Sequence, residues 1–346
     1  MKLKIYGATG SFPRCMSADE MVDKIYHYQK LVNHYGGFEK LLSVAQLKNK
    51  TDKNGNLSKE DFTELLHNNE LFEFWIGNTY GGNTSCIYIE TSDGKHISLD
   101  AGAGFIPLSR DLMKLPDFGK SQEEIYILLS HFHWDHIQGI PFSALIFTQN
   151  KMKFIGMPVT AEINLQHIIE SQMNKYNFPI PLDFINKNIT FYEIEKTAMI
   201  GKNTLIAVYP MEHPLIGSYT YKITDTQTGK SMVYATDFEQ PTDKLEEKLI
   251  GICKGSDILV IDAHFSPGES TNFQGWGHGN FGNAVDLARL AGIKDLILFH
   301  HNFNKADKEL FKTENDVKGY LEVSRDSFPG FNLNVHFARE GLEINF

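Results

Sequence analysis

The sequence predicts an α/β fold, a four-layer αββα sandwich in which two mixed sheets pack face to face with helices outside. Two observations carry this expectation. Short apolar runs of strand length recur along the chain and alternate with stretches of helical periodicity. In both halves of the chain such runs end in histidine or aspartate, as at His131, Asp237 and His300. Open α/β sheets build their sites at the carboxyl ends of strands, so these residues are the first candidates for chemistry. With 346 residues, 42% of them hydrophobic and 22% charged, the chain has ample core for one large domain. It shows no repeat, low-complexity run or linker. Residues 1–346 are therefore read as a single domain carrying a helical insertion over about 16–78.

Composition narrows the function classes. A net charge of -10 argues against a broad basic surface for gripping long nucleic acid. It leaves small anionic substrates open, because bound metal ions dominate the field of a site. Cys15, Cys86 and Cys253 are odd in number, widely spaced and without a Cys-x-x-Cys pair, which argues against disulfides and thiolate zinc. No apolar run reaches the ~18 residues of a membrane span, and residues 1–6 lack the apolar stretch of a signal peptide. A cytoplasmic protein with no membrane partner is expected.

Taken in order, residues 3–6 alternate like a strand and enter the glycine-punctuated turn 7–13. In the insertion, Ser17-x-x-Glu20 is a capping box, and Met21, Ile25, Tyr28 and Val32 follow at helical spacing up to Gly36-Gly37. Two more helices are expected over 38–47 and 59–67. Between them, residues 52–58 look like the middle of an EF-hand loop, but Lys50 stands at the first ligand position and Asp61 at the twelfth. A cation at the first position repels calcium, so the segment is read as a helix-turn-helix insertion. It suits covering a site or a contact between two copies in a homodimer.

Next, residues 80–86 lead into a strand at 87–90, and Asp93-Gly94 makes a tight hairpin to the strand 96–99, which ends in Asp100. The buried run 125–129 opens into Ser130-His131-Phe132-His133-Trp134-Asp135-His136. Here four potential metal ligands crowd beyond one strand end. The i, i+2 histidines can share one ion while the Asp-His pair turns toward a second. Strands follow at 152–155, 189–194 and 205–209, with a helix over 161–173 and a loop at Pro179 and Pro181. His213 lies beyond the strand 205–209. Residues 219–223 and 232–235 form a hairpin across Thr228-Gly229-Lys230, and Asp237 ends it. The strand 258–262 precedes His278, flanked by Gly277 and Gly279 at the start of a helix over 280–291. The strand 296–299 then ends in His300-His301, before a helix over 305–322 and a closing strand at 333–337.

The His-x-His-x-Asp-His pattern resembles the metallo-β-lactamase-fold hydrolases. The blocks at 7–13, 80–86 and 100–104 resemble a phosphodiesterase-like subgroup related to the phosphonate-pathway cyclic-phosphate phosphodiesterase and to tRNA 3′-processing endonucleases. The resemblance covers nearly all of the chain outside the insertion. It implies two divalent metal ions, zinc first, with manganese or iron as alternatives. His131, His133 and His213 would hold one ion, and Asp135, His136 and His300 the other, with Asp237 bridging. Such a pair supplies a bridging hydroxide at neutral pH. Asp100 would orient a ligand histidine, and His301 would stand behind the ligands. His278 and Asp135 count as catalytic, with His278 as the acid that protonates the leaving alkoxide. The tRNA endonucleases orient that histidine with a glutamate three residues before the bridging aspartate; here Tyr234 stands there, and Glu239 is the nearest substitute.

The function implied is hydrolysis of a small cyclic or nucleotide-like phosphodiester. An RNA 3′-end endonuclease is the main alternative, but it would want a basic, glycine-rich arm that this chain lacks. A lactonase or thioesterase shares the metals without an evident need for His278. A metal-bound sensor or partner-binding protein is the non-enzymatic alternative.

Overall fold

The computed structural model describes residues 1–120, 122–158, 163–182, 188–239 and 247–346. Among the described residues fourteen strands make two sheets of seven. The first sheet contains β1 (Lys2–Gly7), β2 (Cys86–Glu90), β3 (His96–Leu99), β4 (Glu124–Leu128), β5 (Lys151–Gly156) and β6 (Ile189–Glu193). The second contains β7 (Thr197–Ile200), β8 (Thr204–Met211), β9 (Ser218–Asp225), β10 (Ser231–Ala235), β11 (Ile258–Asp262), β12 (Asp295–Phe299) and β13 (Asn334–Phe337). β14 (Glu343–Asn345) returns to pair with β1, so the orders are β14-β1-β2-β3-β4-β5-β6 and β13-β12-β11-β10-β9-β8-β7.

Each sheet is antiparallel at one end and parallel at the other. β3 to β6 run parallel, as do β10 to β13. Parallel neighbours send their carboxyl ends to one edge, and the residues after β3, β4, β10, β11 and β12 are the ones that matter below.

Side-chain alternation decides which layer each strand residue joins. Along β4, Tyr126 and Leu128 face a core shared with the second sheet, where they join Ile223, Tyr234, Val260 and Phe299. Ile125 and Ile127 face the opposite way and pack with Phe105, Leu108, Leu165 and Ile169 of outer helices. The second sheet is covered by the helix Phe281–Ala291, which packs on β11 and β12. The architecture is thus helix, sheet, sheet, helix, the αββα sandwich expected.

Differences from expectation lie at edges and caps. β7 and β14 were not anticipated; both are short and largely exposed, so burial gives them little apolar pattern. Of the helix expected over 161–173, residues 161 and 162 lie outside the described residues; the described helix is Leu165–Gln172, capped by Asn164. Asn280 is an N-cap rather than a helical residue, its side chain accepting from Asn283 N.

Residues 15–80 and 304–315 form a second compact unit; 1–14, 81–303 and 316–346 form the first. The second unit holds the helices Ala18–His34, Phe38–Val44 and Lys59–Leu66. Its own core gathers Leu41, Leu42, Leu65, Phe72 and Trp75. Ser17 caps the first helix by accepting from Glu20 N at 3.2 Å. Lys24, nearly buried, donates to the Trp75 and Asn78 carbonyls at 2.6 Å and pairs with Asp307 at 2.7 Å. In the EF-hand-like stretch the Lys50 ammonium pairs with Asp61 at 3.0 Å, the twelfth-position carboxylate that a calcium ion would want, and with Glu64 at 2.9 Å.

Candidate metal centre

The site is assembled from strand ends. Asp100, directly after β3, is fully buried and adopts a left-handed φ of 58°. Its carboxylate accepts four hydrogen bonds: Ser130 N at 2.7 Å, Ser130 Oγ at 2.8 Å, His136 Nδ1 at 2.7 Å and Tyr234 OH at 2.7 Å. One aspartate therefore fixes the start of the 130–136 loop and the ring that ends it. With Nδ1 committed as a donor, the Nε2 of His136 turns into the site. There it lies 3.1 Å from both Asp135 Oδ2 and Asp237 Oδ2.

Asp237, after β10, stands in the middle. Its Oδ2 lies 3.1 Å from His136 and 3.3 Å from His300. Its Oδ1 faces the other way, 3.8 Å from His131 Nε2 and 4.0 Å from His213 Nε2. His213 Nε2 is in turn 3.2 Å from His133 Nδ1. Among the described residues four groups have ligand atoms close enough to share an ion, and two of them match the expected ligand sets: His131, His133 and His213, and Asp135, His136, Asp237 and His300; the other two join His278 and His300 with His264 or with Asp237 and Asp262. Asp100, Asp237 and His300 all take left-handed φ values, of 58°, 51° and 61°. Non-glycine residues seldom do so, and strain of this kind concentrates where function fixes a side chain.

The residues fit divalent cations on two counts. Asp100, Asp135, Asp237 and Asp262 are buried, and among the described residues their ion-pair partners are imidazoles alone. Buried charges without compensating cations are costly. In addition His131 Nε2 and His136 Nε2 are buried and make no hydrogen bond among the described residues. Protonation follows the same logic. Burial pushes His131 well below the ordinary imidazole range and His213 down to about 4. Burial opposes ionisation of Asp237, but the imidazoles of His300, His136 and His131 hold it well below the carboxylate range. Neutral imidazole and ionised carboxylate are the forms that bind metal. His136 is the exception: burial is outweighed by Asp135, Asp237 and Asp100, which raise it well above its ordinary value.

His278 comes from the glycine-flanked loop. Glu239 holds that loop by its backbone, its carboxylate accepting from Gly275 N at 2.9 Å and Gly277 N at 2.8 Å. Gly277 has φ 84°, and a Cβ there would lie 2.5 Å from the His213 ring, so only glycine lets the loop press so close. Glu239 is thus not the partner of the His278 ring. That partner is Asp262, at the end of β11, whose Oδ2 lies 2.8 Å from His278 Nδ1. Asp262 Oδ1 accepts from His264 N and Gly279 N, at 3.0 and 3.1 Å. The His264 ring stacks on His278 with centroids 4.5 Å apart. Burial lowers His278, but the charge and hydrogen bond of Asp262 prevail and lift it to about 9.

Sequence reasoning gave no role to Asp262 and His264. The signal for Asp262 was present, an aspartate closing a buried strand beside two others that end in site residues. His301 stands apart. Its Nε2 donates to the Ala338 carbonyl at 2.7 Å and its ring stacks on Phe337, while its backbone carbonyl holds Gly10 N at 2.8 Å. It belongs to none of the metal-capable groups.

Comparison with known proteins agrees with this architecture. Residues 96–301 match the family model described as "Beta-lactamase superfamily domain". Ribonuclease Z of Haloarcula marismortui is 21% identical over 299 residues, spanning 75% of this chain and 90% of that protein. Among solved structures, the metallo-beta-lactamase fold protein YhfI of Bacillus subtilis aligns with a TM-score of 0.56 and 17% identity, covering 99% of this chain and 98% of its own. A diphosphatase of the PhnP family aligns with a TM-score of 0.51 and 15% identity, covering 100% and 97%.

Proposed function

The chain belongs to the beta-lactamase superfamily and is a hydrolase of the metallo-β-lactamase fold, and from that premise we propose that it cleaves a small cyclic or nucleotide-like phosphodiester with two divalent ions. The observation that carries this reading is the pairing of the Asp237-centred groups with a histidine locked by Asp262. Zinc is the first candidate for the ions, with manganese or iron as alternatives. His131, His133 and His213 would hold one, and Asp135, His136 and His300 the other. Asp237 offers one oxygen to each group. When bound, such ions acidify water and neutralise charge on a phosphoryl group.

The chain's own residues supply the rest. Asp100 keeps His136 in one tautomer and one orientation. Asp262 does the same for His278, holding the Nδ1 proton and leaving Nε2 to serve the leaving oxygen. As the bond from phosphorus to that oxygen breaks, His278 gives it the proton and the alcohol departs neutral. Asp262, buried and hydrogen-bonded from two backbone amides, stabilises the charged ring before the transfer. A lactone or thioester gives this acid less to do.

A second reading, cleavage at an RNA 3′ end, is favoured by one observation, the likeness to ribonuclease Z. Against it stand a net charge of -10 and the lack of a basic arm. Turnover by metal-loaded protein on bis-p-nitrophenyl phosphate, cyclic nucleotides, a lactone panel and an RNA bearing a 3′ extension tests both. Hydrolysis of the diesters with the lactones untouched is expected. Cleavage of the RNA in marked preference to every small diester would install the second reading instead.

A further inference from the structure

Beside His278 lies a cavity of about 190 Å³ that the chemistry above does not use. Its wall includes Glu239, Ser270, Thr271, Asn280 and Asn283 together with His278 itself. We propose that this cavity receives the leaving alcohol, and that it selects an alcohol carrying further hydroxyl groups, such as a glycerol or pentose unit. The proposal rests on the phosphodiesterase reading and adds the identity of one half of the substrate.

Two features of the wall point that way. First is position: the group that departs must sit against the acid that protonates it, and His278 is the acid and part of the wall. Second is hydrogen-bonding character. Thr271 Oγ1 spends its proton on the Gly268 carbonyl at 3.0 Å, and Ser270 Oγ spends its own on Pro267 O at 3.1 Å. Thr271 Oγ1 is thereby left as an acceptor for an alcohol O–H, and Ser270 Oγ keeps one lone pair for the same use, the other accepting from Asn280 Nδ2 at 3.2 Å. The Asn283 side chain offers a donor and an acceptor on one amide. Asn280 is already committed, its Nδ2 to Ser270 and its Oδ1 to Asn283 N. A polyhydroxylated group matches this alternation, whereas an alkyl group would leave it unpaired.

The test uses two diesters of thymidine 5′-phosphate with glycerol or propan-1-ol as the leaving alcohol, scored by release of thymidine monophosphate by the metal-loaded full chain. The glycerol ester should show kcat/KM about 10-fold above the propyl ester, the worth of two ordinary hydrogen bonds. Asn283→Leu and Thr271→Val should each bring the glycerol-to-propyl ratio toward one, with melting temperature and metal content confirming an intact fold. Equal rates on the glycerol and propyl esters, or a preference that survives both variants, overturns the pocket. If no diester is cleaved, bis-p-nitrophenyl phosphate included, the phosphodiesterase reading itself falls.

Discussion

At the scale of single residues, the site shows how one side chain can fix another. His278 is held at Nδ1 by Asp262, so its expected work is delivery of a proton from the other nitrogen. Replacing it with alanine should leave metal content intact and slow an alkyl phosphodiester by roughly 10²–10⁴-fold. A p-nitrophenyl diester, whose leaving group departs as a stable anion, should lose far less. Equal losses on both substrates would sink the assignment. Asp262→Asn separates orientation from charge. Asp262 raises the His278 pKa, and an acid catalyst works below its pKa, so activity on the alkyl ester is lost as pH rises through that value. Removing the carboxylate charge lowers the pKa, and the alkaline limb of the kcat profile should move to lower pH. The profile on the p-nitrophenyl ester should keep its limb. An unmoved limb on the alkyl ester would mean that Asp262 acts only through the backbone amides it accepts.

At the scale of elements, the parallel strands carry the site and the turns after them bear the strain. The 130–136 loop is tied to β3 by Asp100 and through Tyr234 to β10. Asp100→Asn keeps the size but weakens the acceptor for His136, and loss of such a support costs metal affinity by about 10–100-fold. Metal titration of the variant should show one site weakened more than the other, since His136 belongs to one group only; uniform weakening would place the role of Asp100 in the fold as a whole. The helical segment makes a different prediction. Leu41, Leu65, Phe72 and Trp75 form a core of their own, so replacing residues 16–78 by a short glycine linker should leave the sandwich folded while changing substrate choice or association. Loss of soluble, cooperatively melting protein would show that the segment is structural.

At the scale of the whole molecule, the two sheets deliver ligands from separate halves, and the ions would join them. Asp100 and the 130–136 loop belong to the first sheet, His213, Asp237 and His300 to the second. Metal analysis of protein purified without chelator should settle near two equivalents per chain. Asp237→Ala should lower occupancy at both groups, because each of its oxygens faces one, whereas His300→Ala should empty mainly one. A settled value of one equivalent after reconstitution would defeat the dinuclear reading. Because the native state alone presents the assembled site, chelation should also lower the melting temperature, and restoring metal at a hundred times its dissociation constant should recover about 2.7 kcal/mol per site.

Whatever is local in the chain is legible in the sequence. The seven-residue motif at 130–136, the apolar runs that become β4, β10, β11 and β12, and the cap at Ser17 are all written in spacings of a few residues. The buried core demands those runs, and backbone geometry then puts their last residues at one edge of each sheet. Tertiary structure decided what lies between distant segments. Tyr234 meets Asp100 across 134 positions of chain, and Asp262 meets His278 across 16. Glu239, the nearest carboxylate in sequence to Asp237, spends that carboxylate on the backbone of the loop 36 positions away rather than on the His278 ring. These pairings depend on the order in which strands pair and on which face each side chain takes. Periodicity gives the face, but the neighbour across the sheet is chosen by the packing of the whole chain.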